Sequence, residues 1–165
     1  MINMEIVNKD HRDIGEVKRL YDTAFPLNER VPFEKLLDHQ QSQMIAFYDK
    51  EFIGFVYMYN DKDIISIAYY TIKEDFRNQG YGSSCLQMIH ELKNEYRIFV
   101  DIEKTNDNVF NREQRYRRKS FYIKNGYKET SIQYKWRNES YEILSYGSNL
   151  TEKEFDEFWD HILKR

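Results

Sequence analysis

The stretch Ile64–Leu92, IISIAYYTIKEDFRNQGYGSSCLQMIHEL, reads in one pass as strand, loop and helix, and the remainder of the chain is placed around it. Residues Ile64–Ile72 are rich in Ile, Tyr, Ala and Thr, which suits a buried strand. The charged segment Lys73–Asn78 breaks that pattern, and Gly80 and Gly82 flank Tyr81 where the backbone must turn tightly or approach something closely. Helical spacing follows at once: Cys85, Met88, Ile89 and Leu92 fall at i, i+3, i+4 and i+7, predicting one apolar face. The glycine pair therefore stands at a helix N-terminus, where backbone N–H groups lack intrahelical partners and the dipole is positive. Such a turn is a candidate anion site.

Spacing separates three kinds of anion loop. A phosphate loop of the G-x-x-x-x-G-K-[ST] type is excluded because no Lys follows Gly82. The dinucleotide fingerprint G-x-G-x-x-G/A fails too, because its third position is Cys85 and the preceding loop is long. The run Arg77-Asn78-Gln79-Gly80-Tyr81-Gly82 resembles the R/Q-x-x-G-x-G/A motif of the GNAT superfamily of N-acetyltransferases, in which successive loop N–H groups hold the pyrophosphate of coenzyme A. Taken alone, a G-x-G before a helix also fits a plain helix start with two turn glycines. A second match downstream adds to the first. Ser120-Phe121-Tyr122-Ile123-Lys124-Asn125-Gly126-Tyr127 resembles the F-Y-x-x-x-G-F/Y signature that ends the last helix of such a domain. The resemblance spans Ile64 to about Trp136, close to half the chain. It departs from the family in its longer link before that helix and in the basic run Arg115, Arg117, Arg118 and Lys119. That run reads as a solvated helix face, with contact to coenzyme phosphates or an acidic partner as the alternative.

With 165 residues, one domain spanning 1–165 is expected, with a helical extension over about 151–165. Lys and Arg total 25 against 28 Asp and Glu, a net charge of −3 that argues against a general nucleic-acid binder. A single Cys precludes an internal disulfide and makes a reducing cytoplasm the simplest home. The opening MINMEIVNKDHRD carries charges where a signal peptide needs an apolar run, and no stretch approaches the ~20 apolar residues of a membrane span, so no membrane partner is expected. His11, His39, His90 and His161 are too scattered for a metal site, and Cys85 lies on an apolar helix face.

In chain order, Met4–Val7 is a predicted strand, followed by a helix on Ile14, Val17, Tyr21 and Ala24/Phe25 with Asp13 and Glu16 in capping-box positions. Pro26 ends it, the loop to Pro32 carries Glu29 and Arg30, and a second helix starts at Phe33. The segments Gln43–Asp49 and Phe52–Asn60 form a hairpin that continues into the strand Ile64–Ile72 as a three-stranded meander. Arg97–Glu103 alternates, with Asp101 and Glu103 on one face, and the intervening helix makes it a parallel neighbour of Ile64–Ile72. A helix over Arg112–Lys124, capped by Asn111 and Gln114, presents Tyr116, Lys119, Ser120 and Ile123 on one face and stops at Asn125-Gly126. A second hairpin turns around Arg137-Asn138-Glu139-Ser140. The final helix, Thr151–Leu163, has a Thr151/Glu154 capping box and a stripe of Phe155, Phe158, Trp159 and Ile162 that either joins the core or pairs two copies as a homodimer.

The expected fold class is thus α/β (α+β): a GNAT-like mixed, mostly antiparallel central sheet with a splayed parallel strand pair and helices on both faces. The resemblance implies an acetyl-CoA-dependent N-acetyltransferase acting on a primary amine of a small molecule or peptide, without a metal. In that family the main chain of Tyr70, Thr71 and Ile72 would bond the pantetheine, and Arg77, Asn78, Gln79, Gly80, Tyr81, Gly82 and Ser83 would hold the pyrophosphate. Glu29 and Arg30 would lie on the acceptor side, where a solvated ion pair is the competing reading. Glu103 or Asp101 would accept the amine's proton, and Tyr122 would protonate the departing thiolate. The acceptor stays open among a protein N-terminus, a lysine, a polyamine, an aminoglycoside and a small metabolite. A non-catalytic acyl-CoA-binding or regulatory protein would keep the loop and lack the acceptor chemistry.

Overall fold

The structure, a computed structural model, describes residues Met1–Lys164. The chain order is β1 (Asn3–Ile6), α1 (Ile14–Ala24), α2 (Phe33–Leu36), β2 (Ser42–Asp49), β3 (Glu51–Asp61), β4 (Ile64–Ile72), α3 (Tyr81–Leu92), β5 (Arg97–Glu103), α4 (Arg112–Lys124), β6 (Lys128–Trp136), β7 (Glu139–Tyr146) and α5 (Glu152–Leu163). Single 3-10 turns lie at Leu27–Glu29 and Glu74–Phe76. The sheet is mixed and mostly antiparallel, with β4 and β5 as its parallel pair. No helix among the described residues is long and apolar enough to cross a membrane. The chain divides into two compact units, residues 1–60 with 67–88 and residues 61–66 with the chain from 89 onward.

In the first unit the strand order is β1-β2-β3-β4. β1 and β2 pair antiparallel with Ile6 opposite Ile45, and β2 pairs with β3 through a turn at Lys50, whose φ is +68°. The core is aromatic: Tyr21 of α1 and Phe33 of α2 are buried with Phe55, Tyr57 and Tyr69. Val17 and Tyr21, one helical turn apart, are the buried stripe of α1. Its expected capping box does not form. Asp13 makes no side-chain cap hydrogen bond, because its carboxylate accepts the Tyr48 hydroxyl at 2.5 Å.

The second unit carries the order β4-β5-β7-β6. The β6–β7 hairpin turns on two residues, Arg137 and Asn138, both at positive φ (51° and 66°), a tighter connection than the four residues expected. The capping box of α5 is present, and its stripe belongs to this unit's own core: Phe155, Phe158 and Trp159 surround the ring of Phe99 on β5 at 5.1–6.1 Å. The sheet pairing of β5 with β7 sets Asp101 opposite Ile143 and Glu103 opposite Tyr141.

Two helical faces differ from expectation. On α3 the buried residues are Cys85, Leu86, Ile89 and His90, while Leu92 is exposed, because His90 is buried in place of an apolar residue. On α4 Tyr116 and Ile123 are exposed and the buried pair is Arg115 and Tyr122, seven residues apart. Asn111 stands at the N-cap of α4 without a side-chain cap bond, its amide oxygen accepting Arg115 Nε at 3.0 Å instead.

Candidate active site

In the first unit, the candidate coenzyme loop runs from the end of β4 to the start of α3. Helix α3 begins at Tyr81, so Gly82 lies inside its first turn. Gly80 has φ +86° and open space where a side chain would stand, and Asn78 also has positive φ, +62°. The first bond of the helix runs from Ser84 N–H to Gly80 C=O at 3.1 Å, which leaves the N–H groups of Tyr81 and Gly82 ahead of the helical ladder. Two tyrosines tie this turn down. Tyr70 of β4 donates its hydroxyl to the Gly82 carbonyl at 2.5 Å, and Tyr81 donates to Asp49 Oδ2 of β2 at 2.5 Å, holding that carboxyl below its ordinary range. Arg77 bends back so that Nε donates to the carbonyl of Ile72 at 2.8 Å, and Gln79 Nε2 donates to the Asp75 carbonyl at 3.1 Å. The side chains of Arg77 and Gln79 thus shape the loop.

Beneath this loop β4 approaches β3 very closely. A Cβ built at Gly54 would overlap the carbonyl oxygen of Thr71 and sit 3.0 Å from the Cα of Ile72. Only glycine lets the backbone of Thr71 and Ile72 take this course. The sequence does mark the spot, as an isolated Gly within the strand pattern of residues 52–60.

The Pro26–Pro32 loop is fixed by buried phenols. Tyr69 donates to the carbonyl of Glu29 at 2.7 Å and Tyr21 to that of Val31 at 2.6 Å, while Tyr57 holds the end of α2 through the Leu36 carbonyl at 2.7 Å. Arg30 pairs with Asp22 at 3.0 Å, and its Nε is buried with no hydrogen-bond partner among the described residues. The structure therefore engages Glu29 through its main chain and Arg30 through its guanidinium.

In the second unit, the two carboxylates of β5 have different surroundings. Glu103 Oε2 accepts Arg115 Nη2 at 2.8 Å, and Arg118 lies 3.8 Å from Oε1. Asp101 Oδ2 accepts the hydroxyl of Tyr134 on β6, while Oδ1 is buried without a partner among the described residues. Burial pushes the Asp101 carboxyl up to about 6, partly offset by the Tyr134 bond. The basic run of α4 is not a uniformly solvated face: Arg115 also bonds Glu139 at 2.5 Å, and Lys119 pairs with Glu129 and Glu142, each at 2.9 Å. Tyr122 is buried, and burial raises its hydroxyl to about 12, moderated by Arg118. Its ring lies 5.1 Å from that of Tyr127, whose hydroxyl meets Nε2 of buried His90 at 2.9 Å. His90 stacks on Tyr146 at 3.8 Å, and burial pushes its imidazole down to about 4, so it is neutral near pH 7. Gly126, with φ +95°, ends α4, and Tyr127 N–H bonds back to the Tyr122 carbonyl at 3.0 Å.

The family model of the GNAT acetyltransferases matches residues 5–112, more than half of the chain. The chain belongs to the GNAT acetyltransferase family. The match ends as α4 begins, so the F-Y-x-x-x-G-Y segment of this GNAT protein lies beyond it. No curated protein matches the sequence. Among solved structures, a GNAT-family protein of Bacteroides thetaiotaomicron is similar with a TM-score of 0.80 and 19% identity, over 98% of this chain and 95% of that one. An acetyltransferase of Bacillus subtilis in complex with CoA superposes with a TM-score of 0.61 and 12% identity, covering 90% of this chain and all of that one. The aminoglycoside 6'-N-acetyltransferase of Enterococcus faecium gives 0.66 and 10%, over 87% and 96%. At these identities the likeness concerns the fold.

Sequence reasoning missed Asp49 and Gly54 beside the candidate loop of the first unit and Tyr134 beside the β5 carboxylates of the second. Gly54 alone carried a signal. Asp49 meets Tyr81, and Tyr134 meets Asp101, across 32 and 33 residues of sequence, which no local pattern encodes.

Proposed function

We propose that this GNAT protein is an acetyl-CoA-dependent N-acetyltransferase acting as one catalytic domain on a primary amine of a small molecule or peptide. The observation that carries the reading is the Arg77–Gly82 loop, which opens α3 with Gly80 at φ +86° and unobstructed space above it. That cradle suits a pyrophosphate, since a helix start carries backbone N–H groups without intrahelical partners and the positive end of the dipole. The CoA complex of the Bacillus subtilis neighbour and the amine acceptor of the Enterococcus faecium one support the same reading.

In this mechanism the amides of Tyr81, Gly82 and Ser83 bind the pyrophosphate, and Arg77, Asn78 and Gln79 keep the loop in shape. The main chain of Tyr70, Thr71 and Ile72, set by the close approach at Gly54, receives the pantetheine arm. Glu29 and Arg30 border the acceptor. Attack requires a neutral amine, so a carboxylate must take a proton from the ammonium. Asp101 is the stronger candidate: near neutral pH it is ionised, and Oδ1 has no partner among the described residues, whereas Glu103 is engaged by Arg115. The amine nitrogen bonds the thioester carbon, the C–S bond breaks, Tyr122, kept protonated by burial, supplies a proton to the thiolate, and the surplus proton of the new amide nitrogen passes through solvent to restore the phenol.

Calorimetry with acetyl-CoA, followed by thiol release with kanamycin, spermidine and a lysine-containing peptide, tests this reading. A folded Gly82→Val variant should lose most of its acetyl-CoA affinity, and unchanged affinity would reject the loop assignment. Tyr122→Phe should lose roughly 10²–10⁴-fold in turnover with that affinity intact.

A further inference from the structure

We infer that Tyr134 is a positioning residue for Asp101, holding one carboxylate oxygen so that the other is presented to the ammonium group of the acceptor. The inference rests on the reading of Asp101 as proton acceptor. Its geometry is contained in the second unit. Tyr134 pairs directly with Tyr141 on β7, and Tyr141 pairs with Glu103 on β5, so these three residues form one row across the sheet. From that row the phenol of Tyr134 leans to the next residue on the same face of β5 and donates to Asp101 Oδ2. Its ring is held by Tyr141, stacked at 5.3 Å and 17°, and by Phe155 of α5 at 5.9 Å. A phenol so fixed has little freedom to leave its acceptor.

A buried carboxylate oxygen without a donor is costly, and such an atom calls for an explanation. Oδ1 of Asp101 is in that position among the described residues. Among the described residues the influences on its carboxyl are burial and the Tyr134 hydroxyl, with no cation among them. β6 contributes Tyr134 and β7 Tyr141, α5 faces the same side of β5 with Phe155, Phe158 and Trp159, and Glu103 two residues on is already held by Arg115. The missing donor is therefore supplied from outside, by the ammonium of a primary amine. One N–H proton passes to Oδ1, the nitrogen lone pair is released for attack, and the Tyr134–Oδ2 bond persists with no proton transferred through Tyr134. Because that bond favours the carboxylate, it also sets the pH at which Asp101 can act.

The test uses the full chain without substrate, carrying ¹³C-labelled aspartate carboxyls, and follows Asp101 through its pH titration. Tyr134→Phe should raise the midpoint by about one unit, move the acidic limb of the pH–rate profile with it, and lower turnover about tenfold, leaving acetyl-CoA affinity unchanged. Should that variant not fold, 3-fluorotyrosine at position 134 keeps the shape, strengthens the donor and should lower the midpoint. An Asp101 titration that neither replacement moves would overturn the inference alone, provided Asp101→Asn still abolishes turnover. A moved titration with wild-type turnover in Asp101→Asn would overturn the reading of Asp101 as base, and the positioning role with it.

Discussion

Asp101 and Glu103 stand two residues apart on one face of β5, and their side chains meet opposite fates. Glu103 lies at the strand end, where Arg115 bridges it to Glu139 and also donates to the Lys104 carbonyl at 3.2 Å and to Asn111. Its charge is matched by a cation. Asp101 lies further into the sheet beside Phe99, which α5 covers with aromatic rings, and its partner is a neutral phenol. Its charge is tolerated without being matched. The difference teaches that a carboxylate's role follows from what neutralises it. A matched carboxylate stabilises a joint between elements, whereas an unmatched one stores a desolvation cost that a cationic ligand can relieve.

The largest effect should come from removing the shared cation. Arg115→Ala would strand Glu103 and Glu139 around a buried cavity, and denaturant unfolding should show a loss of about 3 kcal/mol, the lower part of the range for breaking a buried pair because Glu139 is partly exposed. The Asp101 titration should not move in that variant. If it does, the two carboxylates are one coupled system and the contrast between them fails.

Asp101→Asn should act in the other direction. Burial pushes the folded-state carboxyl up to about 6, above its ordinary value of 3.8, so the native state binds its proton more tightly than the unfolded chain does. This group therefore favours folding below about pH 4 relative to its effect at higher pH, and that advantage is lost as pH rises through 6. The carboxamide removes the dependence while still accepting the Tyr134 hydroxyl. At pH 7 the variant should be more stable than wild type by about 2–3 kcal/mol, at pH 3.5 the two should match, and turnover should fall. A variant less stable than wild type at pH 7 would mean that the charge of Asp101 is matched after all.

Much of this was legible in the sequence, and the failures share a cause. β4 and β5 have their boundaries where composition and alternation put them, Ile64–Ile72 and Arg97–Glu103. The Thr151/Glu154 capping box and the aromatic stripe of α5 formed as read, because both are local signals. The faces of α3 and α4 were misassigned because hydrophobic spacing treats His90 and Arg115 as outward residues, and both are buried. What permits their burial is supplied from afar, Tyr127 and Tyr146 for His90 and the acids of β5 and β7 for Arg115. The same limit left Asp101 and Glu103 indistinguishable. Alternation placed both on one face, but only Tyr134 and Arg115, reached through the tertiary fold, separate them.

The smallest effect should belong to Glu103→Gln, and it bears most directly on the choice of base. The carboxamide preserves shape and keeps one acceptor oxygen for Arg115 Nη2, which also retains Glu139 at 2.5 Å, so no buried cation is left alone. Arg118 loses a contact of only 3.8 Å from a half-exposed side chain, an interaction worth little in water. Unfolding should therefore show a loss of about 1 kcal/mol. If the proton-accepting oxygen belongs to Asp101, as proposed, turnover should stay within about threefold of wild type and its pH profile should keep the wild-type shape. The opposite outcome has a distinct signature. If Glu103 takes the proton, Glu103→Gln should depress the rate most near neutral pH and recover as rising pH deprotonates the amine in solution. That recovery, seen with a folded variant and a verified amine, would move the base two residues along the strand and leave Asp101 as a strained but passive member of the core.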